Sequence, residues 1–135
     1  MAQFERTLTV EWGDCDEAGI VFYPNYFYWF DCTFHAMLRS KGLSQRLLRG
    51  KYGAVTPLID AGASFHGPLR YDDVVVIAAT IEQWAERRLR IAYKARLGDR
   101  VVTMGHEERA WALIDDAGEL KSAPIPEDFK ALFAP

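Results

Sequence analysis

The chain has 135 residues, half of them hydrophobic and 26% charged, an ordinary globular composition that excludes general disorder. This length suits one domain over residues 1–135 that builds its core without disulfides or metals, and it is too short for a TIM barrel or an α/β-hydrolase. A net charge of −3 gives no electrostatic case for nucleic-acid binding, and no apolar run of about 18 residues is present to span a membrane.

Met1 to Arg6 lacks a basic segment followed by an apolar one, so no signal peptide is expected. From Gln3 to Trp12 the chain alternates. Phe4, Leu8, Val10 and Trp12 share one parity, with Arg6 as the exception, which predicts a half-buried strand. Gly13 to Gly19 reads as a polar loop. Pro24 and Asn25 then open the strongest helix candidate, about Asn25 to Lys41: Pro24 suits the first turn, Arg39 and Lys41 suit the last, and Gly42 is placed to end it. Tyr26, Phe27, Phe30, Phe34, Met37 and Leu38 keep helical spacing, and Trp29 widens the stripe, so the helix is buried on most sides. Its less apolar side carries Tyr28, Asp31 and His35.

After a basic, glycine-punctuated stretch from Gln45 to Gly53, strands are expected near Ala54–Phe65, Asp73–Trp84, Arg87–Leu97 and Arg100–Ile114. Turn residues separate them, and the tail from Pro124 to Phe133 predicts a short terminal helix. One strand, one greasy helix and about four consecutive strands make an α+β architecture, an antiparallel sheet curling around the helix.

Few residues stand out as chemistry. Asp14, Asp16 and Gly19 fit three positions of a calcium loop, but Ala18 and Asn25 occupy ligand positions, so that reading fails. Loop aspartates are otherwise turn formers or caps. Gly62-Ala63-Ser64-Phe65-His66-Gly67 misses the serine-elbow pattern by one residue. Cys32 and His35 lie three apart on the helix, where a thiol is more often a small core residue than a nucleophile. Cys15 and Cys32 have no metal-ligand spacing and fit a reducing cytoplasm. Arg88, Arg90, Lys94 and Arg96 form a basic stripe opposite Leu89, Ile91, Tyr93, Ala95 and Leu97. Such a stripe is either a solvated face or a phosphate contact, with Arg87 and Arg109 as candidates to join it.

The run from Glu11 to Tyr26, EWGDCDEAGIVFYPNY, resembles the signature of the 4-hydroxybenzoyl-CoA thioesterase family. The resemblance continues at Trp29, Asp31 and Gly42-Leu43, and more faintly at Tyr71 to Val74, Ile81 to Trp84 and Glu107 to Ala112. It implies a hotdog fold, about five strands wrapped around one long helix, and hydrolysis of an acyl-CoA to the free acid and coenzyme A. No metal or other cofactor is implied, since coenzyme A belongs to substrate and product.

By resemblance, Asp16 is the catalytic carboxylate, nucleophile or general base, and the Tyr23 backbone N–H faces the thioester oxygen. Helix N-termini suit that task, since they carry unpaired donors and about half a positive charge. Gly19 gives backbone access, Asp14 supports the loop or the substrate, and Asp31 receives a para-hydroxyl group unless it pairs with His35 one turn on. Arg87, Arg88 and Arg109 are expected at coenzyme A phosphates. Departures from the family pattern are Glu17 in place of proline, Val76 in place of a hydroxyl residue, and a diluted basic cluster after Trp84. These leave open a short-chain aliphatic acyl-CoA thioesterase, and a non-catalytic acyl-thioester binding module is the further alternative. A chain this short has little room for a private cleft, so a site shared in a dimer, or in a tetramer as in hotdog relatives, is expected.

Overall fold

The structure is a computed structural model and describes residues 3–135; Met1 and Ala2, where the reading of the N-terminus begins, lie outside. Strand β1 (Phe4–Thr9) leads through a short 3-10 turn (Trp12–Asp14) and a loop into the long helix α1 (Pro24–Ser40). Helix α2 (Gln45–Tyr52) and the short β2 (Ala54–Val55) follow. Next come β3 (Leu58–Phe65), β4 (Val74–Trp84), β5 (Arg88–Leu97) and β6 (Arg100–Ala110), then β7 (Ala112–Ile114), β8 (Leu120–Ser122) and α3 (Glu127–Ala131). The main sheet has five antiparallel strands in the order β1-β4-β5-β6-β3, and β2-β7-β8 form a small second sheet. Among the described residues no helix is long and apolar enough to cross a membrane.

Helix α1 begins at Pro24, one residue before the expected start, and buries Tyr26, Trp29, Phe30, Thr33, Phe34, Met37 and Leu38. These face the inner surface of the sheet, where Ile77, Ala79, Ile91, Tyr93 and Ala95 are fully or almost fully buried. Alternating burial along β5 puts Leu89, Ile91, Tyr93 and Ala95 inward and the basic stripe outward, as expected. The stripe is partly neutralised: Arg90 pairs with Glu82 and Glu108, and Arg96 with Glu5.

Several elements differ from the sequence reading: the strand expected over Ala54–Phe65 splits into β2 and β3 in different sheets, and β8 is additional. The basic stretch is a helix, α2, because Ser44 caps its start and Gly53, at φ 66°, ends it in the left-handed conformation. The last long strand breaks at Trp111, whose N–H turns to the Arg87 carbonyl while its ring packs against Phe129 at 4.8 Å. Arg6 is no exception to its strand: the burial of β1 alternates with Arg6 on the inner side.

A close approach of helix to sheet occurs at Gly105 on β6. The Phe30 ring lies against it and stacks on Tyr93 with centroids 4.6 Å apart and planes 9° from parallel. A Cβ on Gly105 would collide with Phe30, so Gly105→Ala is expected to destabilise the chain by about 1–3 kcal/mol through overpacking. Urea unfolding checks this, and an unchanged midpoint would refute it.

Candidate active site

Three backbone links fold the loop before α1 back on itself. Cys15 and Val21 form an antiparallel bridge, the Asp16 N–H donates to the Ile20 carbonyl, and the Phe22 N–H donates to the Asp14 carbonyl. Residues 14–16 therefore lie alongside residues 20–22, next to the start of α1. Gly19 has φ 78° at the tip, and open space surrounds the position a Cβ would take, so it is the backbone angle that calls for glycine.

The two loop aspartates divide their work. Asp14 Oδ2 accepts from the Glu11 N–H at 2.8 Å and closes the 3-10 turn, a structural contact. Asp16 is exposed, and its Oδ1 accepts only from the Ala18 N–H at 2.9 Å among the described residues. That leaves Oδ2 open to a ligand.

Tyr23 caps α1, and its N–H makes no hydrogen bond among the described residues. The first turn of α1 contains Pro24 and no acidic residue, so nothing there competes for the positive end of the helix. The Tyr23 ring is 60% exposed, and beside it Phe22 is 49% exposed. A hollow formed by Ile20, Val21, Tyr23, Tyr26 and the Phe65–Leu69 segment opens at this end.

Asp31 stands on the flank of α1 that meets Arg109 of β6. Its Oδ1 accepts from Arg109 Nη2 at 2.8 Å and lies 3.3 Å from His35 Nε2. Both readings of Asp31 thus meet at one side chain: the pair with His35 exists, yet 48% of the Asp31 side chain stays exposed.

Arg109 is corrected by its surroundings. It points inward from β6, its side chain only 5% exposed, with the guanidinium 4.2 Å above the Phe34 ring. Its Nε donates to Glu107, its Nη1 to the Thr56 carbonyl and its Nη2 to Asp31; each nitrogen is engaged within the protein and the side chain is buried, which takes it away from a coenzyme A phosphate. Burial works against its charge, but Glu107 and then Asp31 outweigh this and hold the guanidinium pKa above its ordinary value. Arg87 and Arg88 remain exposed at the β4–β5 turn, where Arg87 also donates to the Ser122 carbonyl. That turn adjoins the far end of α1, about 25 Å of helix from Tyr23.

Behind Arg109 stand two groups that the sequence reading did not single out. Glu107, almost fully buried, accepts from the Tyr93 hydroxyl at 2.5 Å. Burial and then the Glu107 charge push the Tyr93 phenol pKa well above its usual value, so it stays a donor. A signal was present: Glu107 and Arg109 share the parity of Thr103 and Gly105, and charges on the core parity of a central strand need partners.

Residues 10–133 match the thioesterase-like superfamily. The chain is 32% identical over 128 residues to the 4-hydroxybenzoyl-CoA thioesterase of Pseudomonas sp. strain CBS-3, covering 89% of both chains. Among solved structures it is similar to a mutant 4-hydroxybenzoyl-CoA thioesterase complexed with 4-hydroxybenzoyl-CoA. There the TM-score is 0.88 at 29% identity, over 98% of this chain and 99% of that one. A gentisyl-coenzyme A thioesterase gives a TM-score of 0.84 at 32% identity, over 96% and 99% of the two chains.

The buried ionic cluster is testable without substrate. Tyr93→Phe removes a hydrogen bond to a buried charge and is expected to cost about 1.5–3 kcal/mol in chemical unfolding. A loss below about 0.5 kcal/mol, the lower bound for an ordinary hydrogen bond, would show that Glu107 does not depend on it.

Proposed function

The chain belongs to the thioesterase-like superfamily and hydrolyses acyl-CoA thioesters; on that premise we propose that its acyl group is aromatic and hydroxylated, with Asp16 and the Tyr23 N–H performing the reaction. The observation that carries this reading is the unpaired Tyr23 N–H at the positive end of α1, with the open Asp16 carboxylate on the loop folded beside it.

In one version Asp16 attacks the thioester carbonyl. The oxygen gains negative charge and is held by the Tyr23 N–H, and the C–S bond then breaks. Coenzyme A leaves as the thiolate and takes up a proton, and water hydrolyses the acyl–Asp16 anhydride to the acid. In the other, Asp16 removes a proton from the water that attacks the same carbonyl, and the C–S bond breaks from the resulting tetrahedral oxyanion. Both use the same donor. A donor pre-aimed at a developing oxyanion typically contributes about 10²- to 10³-fold in rate.

Asp31 supports an aromatic, hydroxylated acyl group. It lies about 12 Å of helix rise beyond Tyr23, comparable to a para-hydroxybenzoyl group with one hydrogen bond at either end. Two relatives with aromatic substrates in their names, a 4-hydroxybenzoyl-CoA and a gentisyl-coenzyme A thioesterase, support the same class.

Arg87 and Arg88 are proposed as the coenzyme A phosphate contacts, supplied by a neighbouring copy of the chain. Their distance from Tyr23 along α1 and the open edge of β3 support this. Leu58, Ile59 and Phe65 on that edge, and Trp12, Phe22 and Tyr23 near the loop, are exposed apolar side chains that a second copy would cover. The assembly proposed is at least a dimer, with a tetramer as its fuller form.

Asp16→Asn is expected to lower thiol release from 4-hydroxybenzoyl-CoA by at least about 10²-fold while the fold and assembly persist. Unchanged turnover would remove Asp16 from the reaction. Light scattering is expected to give a mass of at least twice 15.4 kDa, and Ile59→Arg to shift the protein toward monomer with loss of turnover. A fully active monomer would refute the shared site.

A further inference from the structure

The arrangement behind Asp31 exceeds what stability asks for. Glu107 neutralises the buried charge of Arg109, and Phe34 and the Thr56 carbonyl add packing and a further hydrogen bond. Yet the remaining fork of the guanidinium reaches a carboxylate on the flank of α1 that is half open to solvent. The contact fixes one oxygen only. Asp31 Oδ1 takes Arg109, with His35 Nε2 nearby, while Oδ2 makes no hydrogen bond among the described residues.

We propose that Arg109 is a positioning residue that makes Asp31 a fixed hydrogen-bond acceptor. The acyl ring is thereby selected for a neutral hydrogen-bond donor facing Oδ2, an amino group as well as a hydroxyl. This rests on the reading that Asp31 meets the acyl group. An ionised carboxylate accepts and never donates, so it distinguishes ring substituents by whether they carry a proton to give. A planar guanidinium clamped by Glu107, Thr56 and Phe34 cannot follow Asp31 if it turns, which sets the direction in which Oδ2 points.

The consequences follow from the chemistry of the substituent. A para-hydroxyl or para-amino group donates to Oδ2. An unsubstituted ring leaves Oδ2 desolvated and unpaired once substrate covers it, which is the costly case. A para-methoxy group has no proton to donate and sets its oxygen against Oδ2. A para-carboxylate brings a second negative charge to the same place.

The test compares kcat/KM for 4-hydroxybenzoyl-, 4-aminobenzoyl-, benzoyl- and 4-methoxybenzoyl-CoA in the wild type, Asp31→Ala and Arg109→Lys. The wild type is expected to favour the hydroxy and amino substrates over the other two by about tenfold or more, the scale of a hydrogen bond to a charged group. Arg109→Lys keeps the charge but loses the fork, and is expected to erase most of that ratio. If it does not fold, the double variant Arg109→Gln/Glu107→Gln, which buries no unpaired charge, is read the same way.

A wild type that rejects the amino substrate overturns the donor rule. An equal loss for all four substrates in the Arg109 variant makes Arg109 merely structural. If Asp31→Ala erases the ratio while the Arg109 variant keeps it, Asp31 meets the ring but Arg109 does not position it. If Asp31→Ala leaves the ratio unchanged, the underlying reading of Asp31 fails instead.

Discussion

The arrangement of α1 on the sheet depends on one contact, the Phe30 ring lying flat on Tyr93 over the bare backbone of Gly105. It sets the depth at which the helix rides. Asp31 is the next residue along, so the same contact brings its carboxylate within reach of β6. Phe34, one turn further, provides the surface on which the Arg109 guanidinium lies. Tyr93 serves twice, as the stacking partner of Phe30 and as the donor to Glu107. Packing and polar geometry are thus fixed by the same residues, and neither can shift without the other.

The N-terminal end of α1 works by the opposite principle. There the chain leaves groups unpaired: the Tyr23 N–H, one Asp16 oxygen and several exposed aromatic side chains. Such groups are stable only where water or a partner reaches them. Asp14, two residues from Asp16, is tied to the Glu11 N–H and anchors the loop without adding a second free carboxylate. The mid-helix region is thus tied to the sheet through Asp31 Oδ1 and Arg109, whereas the helix end stays open.

Much of this was legible in the sequence. Helical spacing from Tyr26 to Leu38 and the alternation on β5 depend only on local periodicity, and both stand in the structure. The break at Trp111 was not legible, because an alternating run looks the same whether it stays in one sheet or crosses to a second. Helix α2 was hidden by its polar composition, although its Ser44 cap was there to read. At the candidate site, the motif singles out Asp16, Tyr23 and Asp31, and the roles proposed for them come from the resemblance rather than from local periodicity. Arg109 was misjudged because an arginine is ordinarily a surface residue. Only the register that pairs β6 with β5, and the parity Arg109 shares with Glu107, turn it inward.

The two groups of arginines therefore work in different electrostatic media. Arg87 and Arg88 stand in solvent, where counterions screen a charge within about 8–10 Å at ordinary ionic strength. Arg109 lies under Phe34 and Glu107, where mobile ions do not reach. A polyanion drawn to Arg87 and Arg88 would then be held less strongly as salt rises, whereas the Arg109–Glu107 pair would keep its strength. One small fold thereby holds screened and unscreened positive charge side by side.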